Sequence, residues 1–326
     1  MQVKAIQIDR PGPPSAMELR TVTVGDPGPG QALIRQTAIG LNYIDTYHRS
    51  GLYELPMPSG IGTEGAGVVE AVGAGVEHIR PGDRAAYAMG PPGSYSEARI
   101  MPADRLVKLP DGIDDRQAAA MMLKGMTVEY LLNRTFKVSA GQTILFHAAA
   151  GGVGLIAGQW AKALGATVIG TAGGPEKCAL AAKYGYDHMI DYKQGGIARQ
   201  VRELTGGAGV PVVYDSVGKS TWDESLDCLS PRGLMVSFGN ASGPAEPFAP
   251  GVLGAKGSLY VTRPSLANYA VTQQEVQDSA GALFGMVTSG KVRIEVNQTY
   301  ALADARRAHE DLEGRRTTGS TVLLVE

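Results

Sequence analysis

The stretch that decides the fold is Thr143–Gly154, TILFHAAAGGVG, in which a strand pattern leads through a turn of small residues into a helix. The helical pattern VGLIAGQWAKAL continues to Leu164, and a second strand pattern follows at Thr167–Thr171. A strand, a tight turn, a helix and a second strand form the βαβ context of dinucleotide-binding folds. The stretch therefore predicts the start of a Rossmann-type sheet.

Small residues within this stretch match the dinucleotide fingerprint. The spacing Ala149-x-Gly151-x-x-Gly154 is G-x-G-x-x-G with alanine in the first place. The first small residue permits the tight turn, Gly151 lets backbone N–H groups approach a pyrophosphate, and Gly154 lets the helix pack closely on the sheet. The start of the helix adds unpaired N–H donors and the positive end of the helix dipole.

The rest of the chain predicts an α/β protein with two domains. Short alternating segments broken by Gly and Pro fill the first part of the chain and predict a small β-barrel, and a helix is predicted over 114–135. Beyond it, six predicted strands that begin at 143, 167, 188, 212, 233 and 258 alternate with helices, which predicts a doubly wound parallel sheet. We expect residues 126–264 to form the Rossmann domain, and residues 1–125 with 265–326 to form the substrate domain.

Composition limits the possible partners. The 326 residues are 44% hydrophobic and 19% charged, which is typical of a soluble globular protein. A net charge of −2 without a long Lys/Arg run gives no reason to expect nucleic acid or a membrane surface as a partner. The chain opens on a strand pattern rather than a signal peptide, and its two cysteines, Cys178 and Cys228, form no CxxC motif. We therefore expect a cytoplasmic protein.

The choice of cofactor is predicted from the end of the second Rossmann strand. NAD-selective folds usually carry an acid there, but this chain has Gly170–Gly174, GTAGG, followed by Lys177. A lysine near a helix start favours the 2′-phosphate of NADPH. On spacing alone, however, Gly173-Gly174 could be an ordinary turn and Lys177 a solvated surface residue.

A catalytic zinc site is not expected. Such a site needs thiolate and imidazole ligands, but both cysteines lie in the dinucleotide-binding half and the five histidines show no ligand spacing. His147 ends the first Rossmann strand, where a packing role is a simpler interpretation than a catalytic base. The chemistry would then come from the cofactor, with the protein supplying position and hydrogen bonds.

Seven segments of the chain resemble a known family, the zeta-crystallin-like NADPH:quinone oxidoreductases, a zinc-lacking branch of the medium-chain dehydrogenase/reductases. The segments are GLNYIDTYHRSGLY (40–53), GIGTEGAGVV (60–69), GDRAAY (82–87), FHAAAGGVGLIAGQWAKALGA (146–166), VVYDSVG (212–218), DCLSPRGLMVSFGNASG (227–243) and KGSLYVTRPSL (256–266). Zinc-binding relatives carry cysteine near Asn42 and histidine near Thr63, so this departure agrees with the missing ligands. The resemblance implies a GroES-like β-barrel for the substrate domain.

The resemblance also implies site residues. Asn42 and Asp45 would lie beside the nicotinamide and its ribose, and Tyr47 and Tyr53 would line the substrate pocket. The residues that it assigns to NADPH fall into three groups: Tyr130, Gly152 and Val153 at the diphosphate, Gly173, Lys177 and Tyr192 at the 2′-phosphate, and Ser216, Phe238, Asn240, Arg263 and Pro264 in segments that close over the cofactor. Ordinary structural roles remain open for several of them: Tyr130 as a packing aromatic, Tyr192 as the end of a strand and Asn42 as a turn cap.

The implied reaction is reduction of a quinone by NADPH, through a hydride or single electrons. One alternative is an NADPH-dependent enoyl or α,β-unsaturated ketone reductase. The other, from a different class, is a cofactor-binding protein with a structural or RNA-binding role, against which the lack of a basic stripe counts. We also expect a homodimer, because the short segment KGSLYV at 256–261 is a candidate edge strand that a two-fold mate would pair.

Overall fold

The computed structural model describes residues 1–325, which contain sixteen β-strands and ten α-helices. The strands are β1 (Gln2–Ile8), β2 (Glu18–Thr23), β3 (Gln31–Leu41), β4 (Ser59–Gly60), β5 (Glu64–Val72), β6 (Arg84–Ala88), β7 (Ala98–Pro102), β8 (Val107–Lys108), β9 (Thr143–Phe146), β10 (Thr167–Ala172), β11 (His188–Asp191), β12 (Val210–Asp215), β13 (Leu229–Ser237), β14 (Tyr260–Thr262), β15 (Val296–Ala301) and β16 (Ser320–Leu324). The helices are α1 (Tyr43–Ser50), α2 (Asp115–Tyr130), α3 (Gly152–Ala163), α4 (Pro175–Ala182), α5 (Ile197–Leu204), α6 (Trp222–Cys228), α7 (Gly251–Ala255), α8 (Leu266–Tyr269), α9 (Gln273–Thr288) and α10 (Ala305–Glu313).

The chain divides into two compact units. Unit 1 consists of Met1–Met126, Ala270–Thr288 and Ile294–Glu326, and unit 2 consists of Thr127–Tyr269 and Ser289–Arg293. The chain passes from unit 1 to unit 2 within α2, and the predicted helix over 114–135 ends in a π-helical turn at Leu131–Thr135. No helix within residues 1–325 is both long enough and apolar enough to cross a bilayer.

Unit 2 is built on a six-stranded parallel sheet in the order β11-β10-β9-β12-β13-β14. This is the doubly wound order of a dinucleotide-binding fold, and it confirms the predicted parallel sheet. Its central strands are apolar because helices cover both faces: Leu145, Ile169 and Val213 are fully buried. Each such side chain contributes about 1.5–3 kcal/mol of hydrophobic stabilisation.

The last strand of this sheet begins later than the sequence predicts. A strand was expected to begin at 258, but β14 begins at Tyr260. Gly257 has a φ of 116° and Ser258 has a φ of 57°, so the chain turns there and cannot be extended. Strand β14 pairs with β13 alone and forms one edge of the sheet, as expected for KGSLYV.

Unit 1 is mainly an antiparallel β structure. Seven strands form one sheet, with the path β15-β16-β3-β5-β6-β8 and β7 paired to β3, while β2-β1-β4 forms a smaller sheet. Near the C-terminus, β16 pairs with β3 in register Leu323 to Ile39, so the end of the chain completes this unit. Ile39 and Leu323 lie in one apolar core cluster, which also contains Tyr95 and Ala308.

Candidate functional site

The fingerprint lies where the strand order of the parallel sheet reverses. Strand β9 has β10 on one side and β12 on the other, and ligands of such sheets bind beyond the carboxyl ends at this point. Gly151 is the N-cap of α3 with extended backbone, and the first turn of the helix contains Gly152, Val153 and Gly154. The first N–H groups of α3 therefore point towards the place that a diphosphate would take.

Two glycines of the fingerprint differ in the space around them. A Cβ at Gly154 would lie 2.4 Å from the carbonyl oxygen of Ala148 and 2.6 Å from that of Ala149, so the helix start needs glycine to approach the turn. A Cβ at Gly151 would meet only the Ala148 oxygen, at 3.2 Å. The backbone is therefore less crowded at Gly151 than at Gly154.

A second cluster lies after β10 and β11. The Tyr192 hydroxyl lies close to Gly173: a Cβ on Gly173 would be 2.5 Å from the hydroxyl oxygen. Tyr192 itself is 37% exposed. Lys177 is the third residue of α4. Sequence analysis missed Lys193, whose ammonium lies 3.7 Å from the position of a Cβ at Gly174. Two lysines thus belong to the segments that could hold a phosphate.

The carboxyl ends of β12, β13 and β14 bring together another group of the predicted residues. The Phe238 N–H donates to the Asp215 carbonyl at 2.8 Å, and the Ala241 N–H donates to the Ser216 carbonyl at 3.1 Å. Arg263 donates to the carbonyl of Gly239 at 2.9 Å, and the Asn240 amide, with its oxygen towards Arg263, accepts from it at 3.0 Å. Pro264, which follows directly, is buried.

Tyr130 is a buried aromatic with a stacked partner. Its ring lies on that of Tyr269, with centroids 4.6 Å apart and planes at 15°. Burial, with the nearby Tyr269 phenol adding to it, raises the pKa of Tyr130, so this phenol stays protonated. The packing interpretation of Tyr130 is thus compatible with the structure, and its role at the diphosphate stays a prediction.

His147 is part of a buried structural network. Its Nδ1 lies 2.9 Å from the Thr171 hydroxyl and its Nε2 lies 3.0 Å from Ser225 Oγ, which donates to Asp215 at 2.7 Å. His147, Ser225 and Asp215 are each fully buried, and burial lowers the pKa of His147. Despite its Ser–His–Asp composition, this group has no surface for a substrate and holds three strand ends together.

In unit 1, Asn42 is part of a buried charged cluster. Asn42 precedes α1 as its N-cap, and its Nδ2 donates to Glu64 Oε2 at 2.7 Å. Glu64 also accepts from the Lys124 ammonium at 3.1 Å and from the Leu123 N–H at 2.7 Å. Glu64 is fully buried, Lys124 is 5% exposed and Asn42 is 8% exposed. Sequence analysis did not find Lys124.

Asp45 caps the same helix from inside. Its Oδ2 accepts from the Asn42 backbone N–H at 2.9 Å and from the Tyr95 hydroxyl at 2.9 Å. Burial raises the pKa of Asp45 to about 7, although both hydrogen bonds oppose the shift. The carboxyl group therefore titrates near neutral pH, where most aspartates are fully ionised.

Tyr47 and Tyr53 lie together at the end of α1. Their rings meet edge to face with centroids 5.2 Å apart, and Tyr43 extends the group at 6.2 Å from Tyr47. Tyr47 is buried at 8% exposure, whereas Tyr53 is partly exposed. Flat aromatic surfaces of this kind suit a planar acceptor.

The chain also matches known proteins over nearly its full length. The sequence profile of the alcohol dehydrogenase GroES-like domain family matches residues 28–111, and that of the zinc-binding dehydrogenase family matches residues 152–279. A quinone oxidoreductase of Pseudomonas aeruginosa is 58% identical over 98% of this chain and 99% of its own length. The chain belongs to the quinone oxidoreductase family.

Two further relatives are similar to this chain over nearly its full length. The crystal structure of Escherichia coli quinone oxidoreductase complexed with NADPH superimposes with a TM-score of 0.97 and 49% identity, covering 98% of this chain and 99% of the other. A 2-haloacrylate reductase from Burkholderia sp. is 46% identical over 99% of both chains. The expected combination of a GroES-like domain and a Rossmann sheet is confirmed.

One of the two matching families is named for zinc binding, which raises the question of whether the described residues could hold a metal ion. Within residues 1–325, no three His, Cys, Asp or Glu side chains converge in a way that could hold a metal ion. Where zinc-binding relatives carry cysteine and histidine, this member of the quinone oxidoreductase family has Asn42 and Thr63. The Lys124 ammonium is the buried cation bound to Glu64 in that region.

Proposed function

We propose that this chain is an NADPH-dependent quinone reductase that works without zinc. The observation that carries the proposal is the full-length match, at 49% identity and a TM-score of 0.97, to a quinone oxidoreductase crystallised with NADPH. A second protein named quinone oxidoreductase is 58% identical to this chain, whereas the 2-haloacrylate reductase is 46% identical. The higher identity favours a quinone over a 2-haloacrylate as the substrate. The net charge of −2 supports neither RNA nor DNA as a partner.

The residues of unit 2 fit NADPH. The N-terminus of α3 offers N–H donors from which a diphosphate would accept hydrogen bonds. We therefore propose unit 2 as the NADPH-binding domain and unit 1 as the substrate domain. The residues proposed to hold NADPH in unit 2 are Tyr130, Gly151, Gly152, Val153, Gly154, Gly173, Lys177, Tyr192, Ser216, Phe238, Asn240, Arg263 and Pro264.

In unit 1, we propose Asn42, Asp45, Tyr47 and Tyr53 as the residues that orient the nicotinamide and the acceptor. The hydrogen bond to Glu64 gives the Asn42 amide a direction. An ionised carboxylate only accepts hydrogen bonds, so the amide nitrogen must face Glu64 and the amide oxygen must face away from it. Asn42 would thus present its amide oxygen as an acceptor, and the second proton of its Nδ2 as a donor, to a bound ligand.

Bound NADPH supplies the hydride. Tyr47 and Tyr53 would hold a flat acceptor by their ring faces, and Asn42 would orient a polar group of the ligand. Solvent can supply the protons, because a hydroquinone anion is a far weaker base than the alkoxide formed from a simple ketone.

Steady-state kinetics with NADPH test the proposed function. Benzoquinones, naphthoquinones, α,β-unsaturated ketones and 2-haloacrylates are compared at fixed NADPH, in buffer treated with a metal chelator. We expect the highest kcat/KM with a quinone and no loss of activity in the chelator. A higher kcat/KM with an unsaturated ketone or acrylate would replace the proposal by its main alternative.

Replacing Lys177 tests the preference for NADPH. If Lys177 contacts the 2′-phosphate, Lys177→Ala removes one charge-assisted contact that NADPH makes and NADH does not. The loss should be ~1.5–3 kcal/mol, or about tenfold to somewhat over a hundredfold in affinity for NADPH. The KM for NADPH should rise accordingly while the KM for NADH stays nearly constant. Lys193→Ala is the matched variant, and equal weakening of both cofactors by Lys177→Ala would contradict a phosphate contact.

We also propose a homodimer in which β14 pairs with its two-fold mate. Strand β14 is an edge of the parallel sheet, and its Tyr260 is 61% exposed. An exposed edge strand offers unpaired N–H and C=O groups to a second copy. Sedimentation equilibrium at micromolar concentration should give twice the chain mass, and a monomer would refute the dimer.

A cytoplasmic location completes the proposal. Cys178 and Cys228 are both free thiols, as expected in a reducing compartment. Cell fractionation that finds the protein outside the cytoplasm would contradict it.

A further inference from the structure

A chain of hydrogen bonds connects the buried Asp45 to the surface of unit 1. The Tyr95 hydroxyl donates to Asp45 Oδ2 at 2.9 Å and lies 3.0 Å from His309 Nε2. His309 Nδ1 lies 3.1 Å from Nη1 of Arg49, whose guanidinium also binds both carboxylate oxygens of Glu313, at 2.7 and 2.9 Å. Asp45, Tyr95, His309 and Arg49 are at most 2% exposed, whereas the Glu313 side chain is 36% exposed.

The chemistry of Arg49 fixes the direction of every bond in this chain. A guanidinium can only donate, so His309 Nδ1 must be an acceptor and the neutral ring must carry its proton on Nε2. Burial, with Arg49 adding to it, lowers the pKa of His309 to about 3 and keeps the ring neutral. The Nε2–H then donates to the Tyr95 oxygen, and the single hydroxyl proton of Tyr95 must go to Asp45.

Tyr95 is held so that its hydroxyl has little freedom. Its N–H donates to the Ile61 carbonyl at 2.8 Å, and its carbonyl accepts from the Ile6 N–H at 2.8 Å. Its ring meets that of His309 edge to face, with centroids 5.7 Å apart. The Tyr95 side chain is therefore held through its backbone and along its ring.

We propose that Tyr95 and His309 are positioning residues of the reductase: with Arg49, they form a hydrogen-bond chain of fixed direction that holds the Asp45 carboxylate as the acceptor for the Asn42 backbone N–H. The chain thereby sets where α1 begins and how Asn42 is presented. The hydrogen-bond chain connects α1, which contains Arg49, with α10, which contains His309, 260 positions later. This inference rests on the proposed function, in which Asn42 and Asp45 orient the nicotinamide.

Three other groups face Asp45: Glu64, Lys124 and Thr63. Glu64 of β5 raises its pKa and Lys124 of α2 lowers it, and both effects rank after burial and the hydrogen bonds from Asn42 and Tyr95. The Thr63 hydroxyl lies 3.5 Å from Asp45 Oδ1. The Tyr95 bond stabilises the ionised form of Asp45, so its removal must move the pKa of Asp45 further upward.

The test is the variant Tyr95→Phe, which removes the last donor of the chain and keeps the ring. If the ionised form of Asp45 is the active one, kcat/KM with a quinone falls as the pH drops through the pKa of Asp45. In Tyr95→Phe, the midpoint of this fall should move upward by about one pH unit. At pH 6 the variant should be ~tenfold less active than the wild type, and at pH 9 the two should agree within about twofold.

A matched variant separates this effect from a loss of stability. Tyr87 is another fully buried tyrosine of unit 1, and its hydroxyl oxygen lies 2.5 Å from Gln36 Oε1 and 2.9 Å from Ser94 Oγ, away from Asp45. Tyr87→Phe should lower the melting temperature by a similar amount while the midpoint of the pH profile stays in place.

The ionisation of Asp45 can be followed without turnover. The carbonyl stretch of its protonated carboxylic acid is isolated as the infrared difference between wild type and Asp45→Asn, titrated with pH. The band should titrate at higher pH in Tyr95→Phe than in the wild type, and at the same pH in Tyr87→Phe.

These two readouts distinguish the possible results. Parallel upward shifts of the infrared and kinetic midpoints in Tyr95→Phe alone support the proposal. An unchanged infrared midpoint, or equal losses of activity at every pH, would overturn it. If the infrared midpoint shifts in a protein that reduces no quinone at any pH, the hydrogen-bond chain stands and the proposed function fails.

Discussion

Replacing Lys124 with methionine should lower the free energy of unfolding by ~3–5 kcal/mol, because the variant leaves the Glu64 carboxylate buried without its cation. Glu64 is fully buried and Lys124 is 5% exposed, so water cannot solvate the orphaned charge. The hydrogen bonds from Asn42 and the Leu123 N–H remain and offset only part of the loss. Chemical denaturation at neutral pH, with the signals of the two units followed separately, measures the effect.

An exposed ion pair of the same unit provides the control. Arg306 and Glu310 on α10 are 3.1 Å apart, with side chains 58% and 44% exposed. Arg306→Met should change the free energy of unfolding by no more than about 0.5 kcal/mol. The double variant Lys124→Met/Glu64→Gln removes both charges and should recover much of the loss, since a neutral amide is far cheaper to bury than a carboxylate. If Lys124→Met and Arg306→Met cost the same, the buried pair does not stabilise unit 1.

The fold of unit 2 could be predicted because its signals are local. Periodicity, turn residues and the fingerprint lie within single segments, and they predicted the six strands and most of the helices between them. The start of β14 was placed too early, since a non-glycine residue with positive φ, here Ser258, leaves no reliable mark in a sequence. Hydrophobic residues that recur every 3.6 positions in a helix or every 2 positions in a strand indicate which face is buried, but they do not indicate local backbone angles.

The site in unit 1 was harder to predict because its contacts are not local. Asn42 and Asp45 were identified through the family resemblance, but Asn42 meets Glu64 across 22 positions and Lys124 meets Glu64 across 60. Lys124 lies in an apolar stretch of α2. A lysine in such a stretch indicates that a charge is buried, but the sequence does not indicate which residue pairs with it. Tyr95 and His309 are separated by 214 positions, and only packing in three dimensions brings them together.

Replacing Asn42 with aspartate should destabilise the protein in a manner that depends on pH. The change puts a second carboxylate where the amide nitrogen lies, 2.7 Å from Glu64 Oε2, at a site that is 8% exposed. Two carboxylates this close cannot both ionise freely, so the pKa of one of them rises in the folded state. At pH 8 the free energy of unfolding should fall by ~3 kcal/mol.

The sign of the pH dependence makes this prediction specific. A carboxyl group with a raised pKa in the folded state binds its proton more tightly there than in the unfolded chain, where aspartate titrates near about 4. The penalty is therefore absent below about pH 4, grows as the pH rises through that value, and levels off above the raised pKa. Denaturation from pH 4 to pH 8 should show the gap between wild type and variant widening with pH.

If Asn42 orients the acceptor as proposed, activity should follow the same trend, because the added negative charge would lie beside an acceptor that itself becomes negative during reduction. We expect kcat/KM for a quinone to fall roughly a hundredfold at pH 8 and to recover in part at pH 5, where the shared proton neutralises one carboxylate. The matched variant is Asn268→Asp, the same substitution at an exposed position of α8, which should alter stability by less than about 0.5 kcal/mol at any pH. A loss in Asn42→Asp that stays constant from pH 4 to pH 8 would mean that Asn42 and Glu64 do not share the contact on which the direction of the amide depends.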